Sequence, residues 1–511
     1  MKFLTLAATI LFASQAVVAG PIAVNPNFEE WTVAQLSTAM NAGTVTSAQL
    51  TQYYLDRIAK YNPTLHAVIE TNPDALKIAA EADKTRKHCK KDKSCDPLLG
   101  IPVLVKDNIA SRDHMQTTAG SWALYGSVVP RDSFVVKKLR KAGAVLLGKA
   151  NLSEFANLRS AATMPSGWSG RGGQTINPYN ATAFVCGSSS GSAVAASANL
   201  AAITLGSETD GSIICPSAFN GIVGLKTTVG LVSRAGVIPI SHVQDTVGPM
   251  VRTVADAAYV LDVISGTDER DSATKHADKK KPKHPYSSYL KKGVSGDLAG
   301  VRIGIDLGMA DSNVNASVLV LKSLGATIVP VTFPQIDLDQ GATEVTILFT
   351  DFKADLNKYL SGLDHNPIKN LATLINVTAA DPRENVYGWE DWVSCEATKG
   401  QKDPAYLEAV KNQTEHVKIL DAFYAANKLD VFFGQPLDFT GTQIDMSHTA
   451  ALAGYPVITV PSPTSAEELV ASGGLPNFVG FTGLAYSEPA LVKAASAFEQ
   501  ATKGRVKPPL A

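Results

Sequence analysis

The sequence predicts an α/β protein built around a mostly buried β-sheet. Helical and extended segments alternate along the chain, as they do where helices pack against a sheet. The stretch SFVVKKLRKAG (Ser133 to Gly143) begins with a serine, spaces its apolar residues by three to four and ends with a glycine, which is typical of an α-helix. It leads directly into AVLLGKA (Ala144 to Ala150), a short apolar run that predicts a buried strand.

Further elements follow the same pattern. SVLVLKSLGATIVPVTF (Ser317 to Phe333) repeats the step from helix to strand. Near the C-terminus, SEPALVKAASAFEQATKG predicts a helix with Ser487 as its cap, Pro489 in its first turn and Gly504 as its terminator. Other candidates for buried strands are VRIGIDLG (301–308), LDVFFGQP (429–436) and PVITVPS (456–462).

The composition is that of a globular protein with ample material for a large core. Of 511 residues, 45% are hydrophobic and 18% are charged, and the net charge is −1. The near-zero charge argues against a nucleic-acid partner, because such a partner requires a clustered basic face. Charge, proline and serine do accumulate between Gly266 and Gly300, which includes the basic stretch from Lys275 to Lys292. Because apolar periodicity is missing there, an exposed, solvated loop is predicted.

The first twenty residues have the layout of a secretory signal peptide. One lysine is followed by an apolar run and then by small residues up to Ala19 and Gly20, which predicts a signal peptide over 1–19 and a secreted mature chain over 20–511. No other apolar run reaches the roughly 18 residues of a membrane span, so no span is expected. Glycosylation sequons begin at Asn151, Asn180, Asn315, Asn376 and Asn412, and those after the first are predicted to carry glycans.

In an oxidising compartment the five cysteines are able to form disulfides. Cys89 and Cys95 lie six residues apart in a charged loop and could close a small one, while the pairing among the five is left open. Because the total is odd, at least one thiol stays free or pairs between chains. The chain contains neither CxxC nor HExxH, so no metal site and no cofactor is expected. The remaining cysteines are Cys186, Cys215 and Cys395.

Three consecutive serines flanked by glycines stand in CGSSSGS (Cys186 to Ser192). A flexible linker is disfavoured because the small-residue and apolar stretch AVAASANLAAITLG follows at once. A phosphate-binding loop is excluded because no lysine follows Gly191. Gly187 to Gly191 formally matches the G-x-S-x-G elbow of α/β-hydrolases, for which His448 is the best-placed histidine. That interpretation remains an alternative to a catalytic turn of another type.

Two further stretches favour the catalytic turn. GIPVLVKDNI (Gly100 to Ile109) ends an apolar run with Lys106, and LGSETDGSIICPSAFNG (Leu205 to Gly221) places Ser212 after a glycine in a polar turn. Together with Ser188, these stretches resemble the amidase signature family. Its members share a G-I-P-x-x-V-K-D-N strand, a G-S-S-x-G-S turn and a G-[ST]-[DE]-x-x-G-S-I loop in that order. The two serines lie 24 residues apart here, as the family's pair does.

The resemblance extends from about Trp31 to Pro509. It implies a single α/β/α domain around a large twisted mixed β-sheet flanked by helices, with a catalytic core over about 90–260, whereas length alone suggests roughly three domains. The stretches SGWSGRGGQTINPY and GSETDGSI look especially like the peptide-amidase branch of the family. The region from about Ala316 to Asp445 is expected to shape the acyl side of the pocket.

The resemblance implies a Ser-Ser-Lys triad. Ser212 would attack the amide carbonyl and form an acyl-enzyme, and Ser188, which adjoins a cis peptide in the family, would carry the proton to Lys106. Lysine is a base only when neutral, so burial must lower its pKa from about 10.4. Asp107 would oppose this if it faced the amine, but adjacent strand residues point to opposite faces.

Backbone N–H groups in the turn before the nucleophile would form the oxyanion hole. Gly211 favours this because glycine adopts conformations that other residues resist. The substrate is expected to contact Ser189 and Gly187. The predicted oxyanion-hole residues are Thr209, Asp210 and Gly211, with the N–H of Ser212 beside them.

The chain departs from the common family pattern in three places. Asp210-Gly211 stands where many members have Gly-Gly. Glu208 is present but Ile214 replaces the usual arginine, so that ion pair is absent. Lys226-Thr227-Thr228 replaces Lys-Pro-Thr. The first two changes also occur in the peptide-amidase-like branch, so they bear on substrate class.

The predicted function is that of a secreted amidase, which hydrolyses a carboxylic amide to an acid and ammonia. C-terminally amidated peptides are the favoured substrates, and aliphatic, aryl or fatty acid amides are the alternative within the family. A non-catalytic binding protein on the same scaffold is less favoured because all three triad positions are occupied. An amidotransferase subunit that acts on charged tRNA is disfavoured by the signal peptide and the near-neutral charge. The oligomeric state is left open.

Overall fold

The computed structural model describes residues 27–89, 95–308, 310–334, 342–437 and 446–510. The predicted signal peptide, residues 1–19, lies outside these ranges. The described residues form an eleven-stranded sheet in the order β1-β3-β2-β6-β8-β7-β12-β13-β11-β9-β10, and β4 pairs with β5 separately. The strands are β1 (Val68–Thr71), β2 (Pro102–Lys106), β3 (Val145–Ala150), β4 (Trp168–Ser169), β5 (Gly173–Gln174), β6 (Ile203–Glu208), β7 (Val223–Lys226), β8 (Thr246–Val251), β9 (Arg302–Ile305), β10 (Thr327–Pro330), β11 (Val431–Gly434), β12 (Val457–Pro461) and β13 (Phe478–Thr482).

Helices flank this sheet. In the described residues they are α1 (Val33–Ala42), α2 (Ser47–Leu65), α3 (Ala75–Cys89), α4 (Phe134–Lys141), α5 (Ser190–Ser197), α6 (Ile214–Phe219), α7 (Val254–Ile264), α8 (Ala277–Lys280), α9 (Ser312–Ser323), α10 (Ala342–Ser361), α11 (Leu371–Ala380), α12 (Glu390–Glu396), α13 (Pro404–Asn427), α14 (Met446–Ala453), α15 (Ala466–Ala471) and α16 (Glu488–Thr502). None of them is long and apolar enough to cross a membrane.

The sheet is mixed, as the resemblance implied. β2 runs parallel to both β3 and β6, and β9 runs parallel to β10 and β11, while the remaining neighbours are antiparallel. Every residue of β2, β3, β6 and β8 is buried, whereas most residues of the outermost strands β1 and β10 are partly or fully exposed. The central strands are buried along their length because other elements cover both faces. The prediction of an α/β fold is confirmed.

The individual elements are largely those that the sequence predicts. α4 begins after Ser133, whose hydroxyl accepts the N–H of Val136, and β3 follows it. The predicted step over 317–333 appears as α9 and β10, and the three strand candidates appear as β9, β11 and β12. The sequence predicts these elements because the residues that start and end each of them lie next to it in the chain.

The end of α16 differs from the prediction. Ser487 stands at the N-cap position but its side chain makes no capping hydrogen bond. The left-handed residue that ends the helix is Lys503, with φ 52°, and not Gly504. Gly504 is required for a different reason, because a Cβ there would lie 2.5 Å from the carbonyl carbon of Ser462 and 2.6 Å from the oxygen of Pro461.

The segment 266–300, expected to be an exposed loop, lies along the surface but is anchored in the core. It contains α8 and short 3₁₀ turns, and its lysines are mostly exposed. Tyr286 and Leu298 are 2% and 0% exposed and belong to the main hydrophobic core. Buried apolar side chains of this kind fix the path of the segment.

The topology of the sheet indicates where a ligand site is expected. Because β2 and β6 are parallel neighbours, their carboxyl ends lie at the same edge of the sheet. In open α/β sheets, ligands bind in the crevice outside the carboxyl ends of the strands. Lys106 ends β2, and the turn that contains Ser212 follows β6.

Because β8 packs closely between β6 and β7, a methyl group added at Gly248 is expected to destabilise the fold strongly. Gly248 faces Gly206 of β6, and a Cβ at Gly248 would overlap the carbonyl oxygen of Leu225 in β7. Gly248→Ala is therefore expected to lower the free energy of unfolding by about 2 kcal/mol or more. Thermal unfolding followed by circular dichroism measures the change. Gly362→Ala is the control, because its Cβ would lie 3.4 Å from the nearest atom, and equal melting temperatures of the two variants would contradict the argument.

Candidate active site

Lys106 lies fully buried at the carboxyl end of β2. Its Nζ is 2.7 Å from Ser188 Oγ and 3.1 Å from the carbonyl oxygen of Ser207. β2 is flanked by the parallel strands β3 and β6, so that Nζ emerges between two strand ends. The structure thus brings together two of the three residues predicted for the triad.

The surroundings of Lys106 favour a neutral amine. Burial lowers the pKa of Lys106 to about 7, against the opposite influence of the carboxylates of Asp245 and Glu208. Asp107 points away, since its Oδ2 accepts hydrogen bonds from Thr118 Oγ1 at 2.6 Å and Gly120 N at 3.0 Å. The expectation that Asp107 does not hold the proton on Lys106 agrees with this geometry.

The turn that contains Ser188 is tightly enclosed. The Gly187–Ser188 peptide bond is cis, and the carbonyl oxygen of Ser188 accepts the N–H of Ser153 at 3.0 Å. A Cβ at Gly187 would lie 2.6 Å from Ser166 Oγ and 2.8 Å from Ser190 Oγ. Gly187, predicted to contact the substrate, is thus needed because surrounding hydroxyl groups occupy the space of a side chain.

Ser189 has a different position from the one predicted. Its hydroxyl donates to the carbonyl oxygen of Ser207 at 3.0 Å and accepts the N–H of the same residue at 3.3 Å. Gly206 permits this approach, since a Cβ there would lie 2.8 Å from Ser189 Oγ. The side chain is therefore engaged in joining the turn to β6, and a contact of Ser189 with the substrate stays a prediction.

This geometry also removes the α/β-hydrolase alternative. In the G-x-S-x-G interpretation Ser189 is the nucleophile, but its hydroxyl is bound to the backbone of Ser207. His448, the proposed partner, instead places its Nδ1 2.6 Å from Asp210 Oδ2. The elbow interpretation is wrong because the middle serine faces the sheet.

Ser212 lies beside the first turn, 8% exposed. Its carbonyl oxygen accepts the N–H of Ser189 at 3.2 Å, and a disulfide joins Cys186 to Cys215, with Cα atoms 5.9 Å apart. The Ser212 hydroxyl makes no hydrogen bond with another described residue, so its link to Ser188 is through the backbone and the disulfide. Cys89 pairs with Cys95 as the spacing suggested, and Cys395 is free and buried.

The turn before Ser212 presents backbone donors. Gly211 has φ +69°, a left-handed conformation that favours glycine, and no atom lies within 4 Å of the position a Cβ would take. Within the described part of the chain, the N–H groups of Asp210, Gly211 and Ser212 donate to no other residue. Thr209 Oγ1 donates to Asp245 Oδ1 at 2.6 Å, which fixes the start of the turn. Unused N–H groups beside a serine hydroxyl are what an oxyanion requires.

Comparison with known proteins shows the family of this chain. Residues 49–492 match the protein family described as Amidase. The chain belongs to the amidase family. It is 42% identical over 518 residues to a probable amidase of Arabidopsis thaliana, a match that covers 98% of this chain and 96% of that protein.

A solved peptide amidase has the same fold. The native enzyme from Stenotrophomonas maltophilia is 43% identical, covers 94% of this chain and 99% of its own, and superposes with a TM-score of 0.83. Its complex with the competitive inhibitor chymostatin superposes with a TM-score of 0.82, at 43% identity and over the same shares of the two chains. The protein is therefore a hydrolase of amide C–N bonds.

In this enzyme Glu208 has no arginine partner at position 214 and binds backbone N–H groups. Its Oε2 accepts the N–H groups of Ile213 at 2.6 Å and Ile214 at 2.9 Å, at the start of α6. Burial raises the pKa of Glu208 to about 7, and the nearby ammonium of Lys226 acts in the opposite direction. A carboxylate at a helix N-terminus is stabilised by the unpaired N–H groups there, so Glu208 holds the residues that follow Ser212 without an arginine.

The sequence does not predict Glu344 near this turn, and it indicates His448 only as the histidine of an α/β-hydrolase. His448 of α14 lies 2.6 Å from Asp210 Oδ2, and its Nδ1 is 3.7 Å from Glu344 Oε2 of α10. α10 belongs to the region expected to shape the acyl side, and this contact brings it close to the turn that contains Asp210. No local motif marks Glu344, since it meets the turn only through the tertiary fold.

Two groups of side chains have the donor types of a metal site. Asp210, Glu344 and His448 form one, and His242, Asp351 and Asp355 form the other, with ligand atoms within 4.8 Å of one another. In the first group Asp210 and His448 already bond to each other. In the second, buried oxygens of Asp351 accept hydrogen bonds from three polar side chains, namely Ser241, Gln401 and Tyr406. We assign no metal to either group.

The disulfide between the two turns is expected to matter for activity. Cys186→Ala/Cys215→Ala should lower the free energy of unfolding by about 3 kcal/mol and kcat for an amide substrate at least about tenfold, because small misplacements of catalytic groups are costly. Cys89→Ala/Cys95→Ala is the matched control. It should lose about 2 kcal/mol of stability for its shorter loop and keep its kcat.

Unfolding curves and steady-state kinetics of both double variants decide the matter. Equal kcat values in the two variants would show that the disulfide acts only on stability.

Proposed function

We propose that Ser212, Ser188 and Lys106 carry out amide hydrolysis as nucleophile, proton bridge and base. The observation that carries this proposal is the 2.7 Å contact between Lys106 Nζ and Ser188 Oγ in a fully buried setting, next to a turn joined to Ser212. A neutral amine takes the proton of Ser188, which in turn takes the proton of Ser212. Ser212 Oγ then attacks the carbonyl carbon.

The same three residues carry the protons in the steps that follow. The tetrahedral intermediate bears a negative oxygen, which the N–H groups of the turn from Thr209 to Ser212 stabilise. As the C–N bond breaks, Ser188 gives its proton to the leaving nitrogen and regains one from the ammonium of Lys106, so that ammonia departs and the amine is neutral again. Water then adds to the acyl-enzyme with its proton passing to Lys106, and the carboxylic acid leaves as Ser212 recovers its proton.

C-terminally amidated peptides are the proposed substrates. The similarity to peptide amidase, and that enzyme's complex with chymostatin, support this class. The stretch that resembles the peptide-amidase branch surrounds the turn of Ser188: Ser166 Oγ lies 3.3 Å from Ser153 Oγ, and Gly167 N donates to Ser153 Oγ at 2.8 Å. Aliphatic, aryl or fatty acid amides are the alternative.

Secretion is also proposed. Disulfides persist in oxidising compartments, and the described residues contain two, Cys89–Cys95 and Cys186–Cys215. Among the sequons, Asn151 is fully buried and its amide donates to three acceptors, so it is unsuitable for a glycan. Asn315 and Asn376 are exposed and remain proposed glycan positions.

Ammonia release from an amidated dipeptide, compared with an aliphatic and a fatty acid amide, tests the proposed function. The dipeptide should give the highest kcat/KM. Ser212→Ala should reduce kcat at least about 1,000-fold while the protein stays folded, since it removes the nucleophile. Ser217→Ala is a matched control five residues further on, because the buried Ser217 hydroxyl has no hydrogen-bond partner among the described residues.

Turnover of the simple or fatty amides alone would retain the triad and refute the peptide substrate. Absence of ammonia from every amide would favour the non-catalytic scaffold.

The pKa of Lys106 predicts the pH dependence. Since only the neutral amine accepts a proton, kcat/KM should rise with pH to a plateau, with a midpoint near pH 7. At pH 5 a single titration two units below the midpoint leaves about one hundredth of the plateau rate. Lys106→Arg should be inactive over the whole pH range, because the arginine side chain stays protonated and cannot accept a proton. A rate that stays flat from about pH 9 to about pH 5 would contradict a lysine base.

A further inference from the structure

Asp245 is a buried carboxylate next to the oxyanion turn. It immediately precedes β8, the antiparallel neighbour of β6, and its side chain is bound at both oxygens. Oδ1 accepts the hydroxyl of Thr209 at 2.6 Å and Oδ2 accepts the N–H of Ile240 at 2.8 Å. Two such bonds hold the carboxylate in one orientation and hold Thr209 against it.

The segment 240–245, here called the strut, is fixed at its other side to α10. Ser241 Oγ donates to Asp351 Oδ2 at 2.7 Å, and His242 N donates to Asp355 Oδ2 at 3.0 Å. Gln244 Nε2 donates to Glu344 Oε1 at 2.7 Å. Three acidic side chains of one helix therefore hold the strut in place, and Asp245 extends that support to Thr209.

Strand pairing places Asp245 close to Lys106. Thr246, the residue after Asp245, pairs with Glu208 of β6, and Lys106 Nζ lies 3.1 Å from the carbonyl oxygen of Ser207. After burial, the Asp245 carboxylate has the largest influence on the lysine, and Glu208 comes next; both raise the pKa of Lys106.

Burial raises the pKa of Asp245 itself to about 6, against the hydrogen bond from Thr209 and the charge of Arg234. Arg234 is mainly engaged elsewhere, since it binds both carboxylate oxygens of Asp271 at 2.8 Å.

We propose that Asp245 is a positioning residue for the hydrolysis, which holds Thr209 of the oxyanion turn and keeps a negative charge close to the base Lys106. The inference rests on the proposed triad. It assigns two separable effects to one carboxylate, one through a hydrogen bond and one through charge.

Two substitutions separate these effects. Asp245→Asn removes the charge, while its amide oxygen can still accept the N–H of Ile240 and its amide nitrogen can donate to the Thr209 hydroxyl. Thr209→Val removes the hydrogen bond and leaves the carboxylate in place. Thr209→Ser restores a hydroxyl and serves as the conservative control.

The measurement is ammonia release from the amidated dipeptide between pH 5 and pH 9, with melting temperatures as a check of folding. Asp245→Asn should move the midpoint of the acid limb down by about one pH unit, because loss of a nearby negative charge lowers the pKa of the lysine. Its plateau kcat should stay within about threefold of the wild type, since the turn is still held.

Thr209→Val should leave the midpoint in place and lower the plateau kcat about tenfold with little change in KM, a fraction of the loss of a whole oxyanion donor. Thr209→Ser should recover most of that activity.

An unmoved midpoint in Asp245→Asn, or a wild-type kcat in Thr209→Val, would overturn the inference, as would melting temperatures that fall while kinetics stay unchanged. These results with an active wild type leave the proposed function intact. A wild-type chain that releases no ammonia would overturn both.

Discussion

The chemistry proposed for this molecule depends on the burial of one lysine. Lys106 stands at the end of a strand with no exposed residue, between two parallel neighbours, and its amine is bounded by a serine hydroxyl and a carbonyl oxygen. Neither neighbour is an anion in direct contact, so the lysine loses hydration without gaining a salt bridge. The fall of its pKa to about 7 follows from that imbalance.

In the proposed mechanism a buried base is useful only if the nucleophile is held beside it, and the two serines come from different parts of the chain. Ser188 precedes α5 and Ser212 precedes α6. The two turns are joined by the N–H of Ser189, the disulfide between Cys186 and Cys215, and the shared strand β6 that lies beneath them. Most of the polar groups near the site are thus engaged in holding its geometry, and the Ser212 hydroxyl and the N–H groups next to it are the ones proposed to contact the substrate.

The sequence predicts the parts of this site that are local. The family resemblance, carried by an apolar run that ends in lysine and by two glycine-flanked serines, predicted Lys106, Ser188 and Ser212, of which Lys106 and Ser188 are in contact. The sequence does not show which of three adjacent serines faces the sheet, because the start of α5 and the absence of a side chain at Gly206 decide that. Asp245 and Glu344 were also beyond reach, since each acquires its role only when distant segments meet.

Opposite influences on the pKa of Lys106 explain why two acidic groups lie near a residue that is proposed to act as a neutral base. Burial alone would lower the pKa of the amine further and weaken it as a base, whereas a carboxylate in contact would keep it protonated. Glu208 and Asp245 occupy the intermediate case: each is buried, each is hydrogen-bonded to backbone or hydroxyl donors, and each acts on the lysine only through space. Burial raises the pKa values of Glu208 and Asp245 themselves to about 7 and about 6. The base strength proposed for Lys106 therefore depends on its burial together with these two carboxylates, one of which also holds Thr209.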